Sequence, residues 1–134
     1  MLDDLPLDSP IPFRSSSEPE GLDLNELLAP NPLSTFYMRV AGDGLRSRGV
    51  LDGDLLVIDR SLLPEPGQLV VVAHQGEFLL RPLAREANGS WFLEPLRPSE
   101  VAIPVEIDDI QASPLFGVAV HGIHRVGPSA SRPR

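Results

Sequence analysis

The sequence predicts a mainly β domain, and two observations support this prediction. Residues Thr35 to Ala41 alternate between the two sides of an extended chain, with Phe36, Met38 and Val40 on one side. Further short apolar runs follow, separated by Gly, Pro, Asn and Asp, which favour turns. We therefore expect strands at residues 35–41, 54–59, 68–74, 77–83, 90–93 and 115–126.

The region before the first strand contains one helical signal. Residues 1–21 are rich in Pro, Ser, Asp and Glu, so we expect a flexible N-terminal arm. Residues 22–28 read Leu-Asp-Leu-Asn-Glu-Leu-Leu and predict a short helix, with Asp23 as N-cap and Glu26 three residues later, as in a capping box. We expect one β domain over residues 22–126 and a disordered tail at 127–134.

Two turn signals and a proline-rich region separate the strands. Gln75-Gly76 lies between two predicted strands and indicates a tight hairpin. Asn88-Gly89 favours a primed turn, whose central residues both have positive φ. Three prolines between residues 94 and 114 limit that region to short extended pieces and turns, because proline cannot donate in a central ladder.

Composition and charge argue against several classes of function. At 134 residues, 42% of them hydrophobic, the chain is long enough to bury the core of one domain. Its formal net charge of -8 argues against direct nucleic-acid binding, which depends on Lys and Arg. It has neither an apolar run of 18 residues nor a signal-peptide pattern, so we expect a cytoplasmic protein that does not bind a membrane.

The chain contains no lysine, because all 11 of its Lys and Arg residues are arginine, and it contains no cysteine. A guanidinium group stays protonated in proteins, whereas a desolvated lysine can act as a base. Chemistry that requires a neutral amine on a lysine side chain, a thiolate or a disulfide is therefore excluded.

Several motifs occur in a specific order. The helix signal at 22–28 precedes Ala-Gly-Asp at 41–43, Asp-Gly-Asp-Leu-Leu-Val-Ile-Asp at 52–59 and Gly-Gln-Leu-Val-Val at 67–71. Gly-Glu-Phe at 76–78 and Phe-Gly-Val at 116–118 complete the set. In this order and spacing, residues 22–126 resemble the LexA/UmuD family of self-cleaving Ser/Lys peptidases. Only residues 1–21 precede the helix signal, which fits the UmuD type better than a repressor with an N-terminal helix-turn-helix domain.

The resemblance implies compact, strongly bent β-sheets with hairpins and a site at the Gly42-Asp43 loop. In the family, a serine after Gly-Asp attacks a peptide bond of the protein's own arm, and a lysine acts as the base. Here the serine position is Gly44 and the lysine position, three residues after Phe78, is Arg81. Glycine has no nucleophile and a guanidinium cannot accept a proton. The resemblance therefore predicts a pseudo-peptidase with no functional catalytic residue and no cofactor.

The arm also lacks a cleavage signal. Family members cleave a Cys-Gly or Ala-Gly bond upstream of a proline-rich stretch, and the only Ala-Gly pair here is Ala41-Gly42, inside the site motif. We accordingly expect the chain to begin about where a processed product begins. We also expect Arg81 to form a charge-assisted pair with Asp43 or Glu77.

Three other constellations have a functional and a structural interpretation. Ser47 could act as a relocated nucleophile if a histidine reached it, but no pattern places His74, His121 or His124 there. The last two have an H-x-x-H spacing, yet without a third ligand we interpret them as strand residues and expect no metal. The acidic cluster of Asp43, Asp52, Asp54 and Asp59 is interpreted as turn and strand-end residues.

The resemblance also implies partners. It predicts a homodimer that joins a translesion DNA polymerase subunit in the SOS response, with the activated recombinase filament as a further partner. We expect the dimer interface at residues 115–126, with Phe116, Val118 and Val120 on one face, although core packing would also account for this strand. The alternatives are a self-cleaving peptidase with relocated catalytic groups, and a regulator that forms heterodimers with an active family member.

Overall fold

The computed structural model describes residues 9–10, 21–109 and 112–127, and the chain divides into two units at residues 30 and 31. In the first unit, helix α1 spans Leu24–Leu28. Its N-cap is Asp23, whose carboxylate accepts a 2.9 Å hydrogen bond from the Asn25 amide, so the predicted helix and cap are confirmed. Nearly all of the predicted arm and tail lies outside the described residues, so both stay predictions, as does the domain boundary at residue 22.

The second unit contains a seven-stranded sheet in which all paired neighbours are antiparallel, so the mainly β class is confirmed. The order across the sheet is β1-β2-β7-β3-β4-β5-β6. Two short 3-10 helices, Pro32–Ser34 and Arg46–Arg48, accompany it. The strands are β1 (Thr35–Arg39), β2 (Leu55–Asp59), β3 (Leu69–His74), β4 (Glu77–Arg85), β5 (Trp91–Leu93), β6 (Ile103–Val105) and β7 (Leu115–Ile123).

The two predicted hairpin turns have different outcomes. Gln75 and Gly76 both have positive φ, 50° and 81°, which confirms the primed turn between β3 and β4. At the second turn only Gly89 has positive φ, since Gln75 is the only non-glycine residue with positive φ in the described part of the chain. The prediction of a primed turn at Asn88-Gly89 is therefore wrong. A longer loop, in which the Glu86 amide donates to the Ser90 carbonyl, connects these strands and leaves Asn88 to bind the Ser90 amide.

The sheet is covered by apolar side chains on both faces. Val70 and Val72 of β3 belong to one buried cluster with Leu83, Trp91, Leu93 and Val118. Val71, between them, belongs to a second cluster with Leu56 and Ile58 on the opposite face. This alternation follows from the period of two in a strand. The second cluster is the one on which the functional site rests.

Strand β7 departs from the alternation that the sequence suggests. Its register against β3 shifts at Val71/Val72, and its register against β2 shifts at Val57/Ile58, as expected at β-bulges. Consequently Phe116 packs with the second cluster, whereas Val118 is buried in the first with 1% of its surface exposed. The prediction that Phe116, Val118 and Val120 lie on one face is therefore wrong, and of the three only Val120 is exposed. The dimer interface itself stays a prediction.

The end of β2 is held by the buried carboxylate of Asp59. It accepts hydrogen bonds from Asn31 Nδ2 (3.0 Å), Ser34 Oγ (3.1 Å), and the amide and hydroxyl of Ser61 (2.8 and 2.6 Å). The bonds from the Ser61 hydroxyl and from Asn31 contribute most to lowering the pKa of Asp59 to about 2. This network connects the segment before β1 to the loop after β2. Within the described residues, no helix has both the length and the apolar character that crossing a membrane requires.

We expect Gly117→Ala to lower the free energy of unfolding by about 1–3 kcal/mol, because the added Cβ overpacks the core. It would lie 2.6 Å from Ile58 Cγ2 and 3.1 Å from the Asp59 carbonyl oxygen, which cannot rotate away. Urea denaturation measures the change. The matched control is Gly122→Ala in the same strand, whose Cβ meets nothing closer than 3.4 Å. An equal loss in both variants would contradict this account of β7.

Asp59→Asn is expected to lower the free energy of unfolding by about 2 kcal/mol at pH 7, because it places an amide donor among groups that donate. The folded-state pKa is depressed, so the stability from ionised Asp59 is present above about pH 4 and is lost as the pH falls towards about 2. Urea titrations at several pH values should show the two proteins converging over that range. Asp43→Asn, at an exposed position, is the control. A difference that stays constant down to pH 2.5 would be inconsistent with this network.

Candidate functional site

The predicted site lies in the loop between β1 and β2. Its base is closed by two backbone hydrogen bonds, from the Val40 amide to the Asp54 carbonyl (2.9 Å) and from the Gly53 amide to the Val40 carbonyl (2.8 Å). Two apolar side chains, Leu45 and Val50, are each only 6% exposed and anchor the loop. The loop that carries residues 42–44 is therefore held in place at its base and in its middle.

The four aspartates of the acidic cluster are not arranged as a metal site or an acid/base pair. The Asp52 carboxylate accepts from the Gly42 amide (2.7 Å), and that of Asp54 accepts from the Leu51 amide (3.0 Å). Asp59 accepts from the Ser61 amide, as described above. Asp43 has an exposed side chain, and its carbonyl accepts from the Arg46 amide. Three of the four thus fix the backbone of a turn, which is the structural interpretation of the sequence.

A cleft of about 290 Å³ opens beside this loop, over the second apolar cluster. Gly42, Gly44 and Arg81 all line it, so the structure brings together the predicted nucleophile and base positions. Asp43 does not line it. The remaining lining residues are Met38, Arg39, Val40, Ala41, Leu45, Leu56, Val71, Phe78, Leu79, Leu80 and Leu96.

The position beside Gly44 is occupied by the side chain of Leu96. A Cβ atom added to Gly44 would lie 2.6 Å from Leu96 Cδ1 and 3.4 Å from Leu96 Cβ. Real Cβ contacts are essentially never that short, so any side chain at position 44 requires Leu96 to move. The atom in the way is the terminal methyl group of a leucine side chain, which can rotate aside.

Arg81 is bound to a carboxylate that the sequence did not suggest. Its Nη1 donates to Glu100 Oε1 at 2.8 Å, and the side chain of Arg81 is 14% exposed. The prediction that Arg81 pairs with Asp43 or Glu77 is therefore wrong. Glu77 lies four residues away on the same strand, about 13 Å along it, and its side chain is exposed.

The same Glu100 oxygen also accepts the backbone amide of Leu96, at 2.9 Å. The Leu96 amide and, next, the Arg81 guanidinium lower the pKa of Glu100, so the carboxylate is ionised at neutral pH. The sequence did not predict that Leu96 and Glu100 belong to the site. Their segment has no strand or helix periodicity, and only the proximity of an arginine in the fold gives the glutamate a role.

The chemistry available in the cleft follows from its lining. In the described part of the chain, the side chains that line it are aliphatic or aromatic, except for the two guanidinium groups of Arg39 and Arg81. None of them carries a hydroxyl, thiol, imidazole or carboxylate. Guanidinium groups donate hydrogen bonds and do not accept protons at ordinary pH. The cleft can bind apolar groups or orient a carbonyl, but it contains neither a nucleophile nor a general base.

The serine and histidines of the alternative mechanism lie elsewhere. Ser47 is in the exposed second 3-10 helix and does not line the cleft, and none of the histidines does. His124 Nδ1 lies 3.2 Å from Asp54 Oδ1, and Asp54 is fully buried. His121 pairs with Val57 between β7 and β2. The arrangement therefore gives His124 a structural partner and gives Ser47 no base.

Replacing Arg81 by methionine is expected to raise the pKa of Glu100, because the charge-assisted hydrogen bond is lost while the Leu96 amide still donates. Arg97→Met is the matched control, since Arg97 acts on Glu100 only through a weaker coulombic interaction. Side-chain carboxyl titration by carbon-detected NMR measures both variants. A shift of equal size in the two would contradict the direct Arg81–Glu100 pair.

Comparison with known proteins gives a family assignment. A family model described as Peptidase S24-like matches residues 6–120. Protein ImpA of Salmonella typhimurium is 35% identical over 116 residues, which cover 87% of this chain and 76% of that protein. Protein SamA of Salmonella typhimurium strain LT2 is 31% identical over 121 residues, or 90% and 80% of the two chains.

A LexA repressor, from Halorhodospira halophila, is 37% identical over 90 residues, but these cover 67% of this chain and only 39% of the repressor. The match to the repressor is therefore partial, whereas ImpA and SamA are matched over most of their length. Together with the match of the family model over most of the chain, these similarities confirm the resemblance seen in the sequence. The chain belongs to the Peptidase S24-like family, as a UmuD-like member of the LexA/UmuD group.

Proposed function

We propose that the chain is a catalytically inactive, UmuD-like accessory protein of SOS mutagenesis. In this proposal it acts in the cytoplasm as a homodimer that binds a translesion DNA polymerase subunit. One observation carries the proposal: the cleft at the family's catalytic position is lined by apolar groups and two arginines. A member of a peptidase family that retains the cleft without the chemistry is expected to act by binding.

In this proposal, activity is lost because both the nucleophile and the base are absent. Serine/lysine catalysis needs a hydroxyl nucleophile and a neutral amine that takes its proton. Gly44 offers no hydroxyl, Arg81 stays protonated and is bound to Glu100, and the chain has no lysine that could replace it. No single substitution supplies both groups, so the proposed function does not include self-cleavage.

The binding surface for a second copy is proposed at the C-terminal half of β7. Val120 is 38% exposed there, whereas Val118 is buried and Phe116 contacts the rings of Phe36 and Phe78 in its own protomer. Exposed apolar residues on one strand are suited to a two-fold interface, in which the same surface serves both copies. The net charge of -8 favours protein partners over DNA.

The proposed dimer is tested by sedimentation of the protein at about 50 µM, a concentration at which a weakly associating homodimer should form. We expect a dimer for the native protein and a shift towards monomer for Val120→Glu, which places a charge in the interface. The matched control is Val101→Glu, at a position 79% exposed and outside β7. Monomer alone at this concentration would contradict the homodimer.

The polymerase partner is tested separately, by co-purifying the native chain with the translesion polymerase subunit of its own organism. We expect a complex that survives gel filtration. Mixing with an active family member is the comparison: preferential heterodimer formation and altered processing of that member would instead support the regulatory alternative.

The self-cleaving alternative is tested by incubation at alkaline pH, with and without activated recombinase filament, followed by intact-mass measurement. We expect an unchanged mass under both conditions, because Ser47 lies outside the cleft and has no base beside it. Release of an N-terminal fragment that is absent in Ser47→Ala would establish the alternative.

A further inference from the structure

Residues 95–100 form an exposed turn, and only two of its side chains face the body of the domain. Leu96 and Glu100 are partly buried, whereas Pro95, Arg97, Pro98 and Ser99 are exposed. The turn follows β5, and at its start the Glu94 amide donates to the Pro82 carbonyl at 2.9 Å. At its end the Glu100 amide donates to the Arg97 carbonyl at 3.0 Å. We call residues 95–100 the Leu96 turn.

One carboxylate oxygen makes two of the hydrogen bonds that hold this turn beside the cleft. Glu100 Oε1 accepts from Arg81 Nη1 on β4 and from the Leu96 amide within the turn itself. The first bond joins the turn to the sheet, and the second sets the position of Leu96 relative to that bond. Hydrogen bonds to a charged group are about twice as strong as neutral ones, so a single side chain can hold an otherwise exposed turn.

We propose that Glu100 is a positioning residue of the cleft: by holding Arg81 and the Leu96 amide at once, it keeps the Leu96 side chain beside Gly44. This role goes beyond the proposed accessory function and does not depend on it. It concerns how much of the cleft is open to solvent or to a bound group. When Glu100 is removed, the turn loses its bond to Arg81 and stays joined to β4 only at its start, through the Glu94 amide and the Pro82 carbonyl, so that Leu96 can move away from Gly44.

The absence of cysteine from the sequence allows a direct measurement of that space. Gly44→Cys introduces the only thiol, and Gly44 does not have the positive φ that would strain a side chain there. The second-order rate of alkylation by iodoacetamide is measured by intact mass over a range of pH. The limiting rate at high pH, where the thiol is fully ionised, is compared between variants, so that differences in thiol pKa do not enter.

We expect Glu100→Ala to raise this limiting rate by about tenfold or more over Gly44→Cys alone, because a charge-assisted attachment is lost. Leu96→Ala, which removes the covering side chain, sets the upper limit. Glu100→Gln, which can accept from the Leu96 amide but has no charge for Arg81, should give an intermediate rate. Glu77→Ala, an exposed carboxylate on the same strand as Arg81, is the matched control and should leave the rate unchanged.

Because the cysteine itself disturbs Leu96, a second measurement keeps Gly44 in place. Hydrogen exchange of the Leu96 amide, followed by NMR, is expected to be at least about tenfold faster in Glu100→Ala than in the native protein or in Glu77→Ala. Equal alkylation rates with and without Glu100, together with equal Leu96 exchange, would overturn the positioning role. That outcome would leave the dimer and polymerase tests unaffected, so the two proposals fail separately.

Discussion

The central strand β3 is buried on both faces, and the rest of the structure depends on that constraint. Val70 and Val72 fill one side of the sheet while Val71 supports the other. Because the buried N–H and C=O groups of such a strand need hydrogen-bond partners, β4 and β7 are paired with its two edges. The cleft lies over Val71, and β4 brings Arg81 to its rim. The site is thus a consequence of how the core is packed.

On this scaffold, the groups at the positions that the family resemblance assigns to catalysis are joined by structural contacts. Arg81 is bound to Glu100, Glu100 also accepts the Leu96 amide, and the Leu96 side chain lies beside Gly44. These contacts therefore form one connected set from Arg81 to Gly44. A serine placed at position 44 meets Leu96, and a lysine at position 81 meets an ionised carboxylate that favours its protonated form.

Sequence reasoning predicted six of the seven strands, the Asp23 cap and the first hairpin because each depends on local periodicity or turn chemistry. It did not predict β6, which lies in the proline-rich region at the edge of the sheet. The order of motifs gave the family. Local sequence patterns do not predict the register shifts in β7, which bury Val118 and separate it from Phe116. Local patterns also do not predict that Arg81 pairs with Glu100, because Glu100 is 19 residues away in a turn without periodicity. Both misses concern contacts between distant segments.

The central claim is that the cleft of this Peptidase S24-like protein contains no activated nucleophile. Reaction with a fluorophosphonate probe tests it most directly, because an activated serine forms a phosphorus–oxygen bond as fluoride leaves and its proton passes to the neighbouring base. The intact mass of the native protein should remain unchanged after prolonged exposure to the probe. A stoichiometric adduct that maps to one serine, and that is lost when this serine is replaced by alanine, would contradict the account.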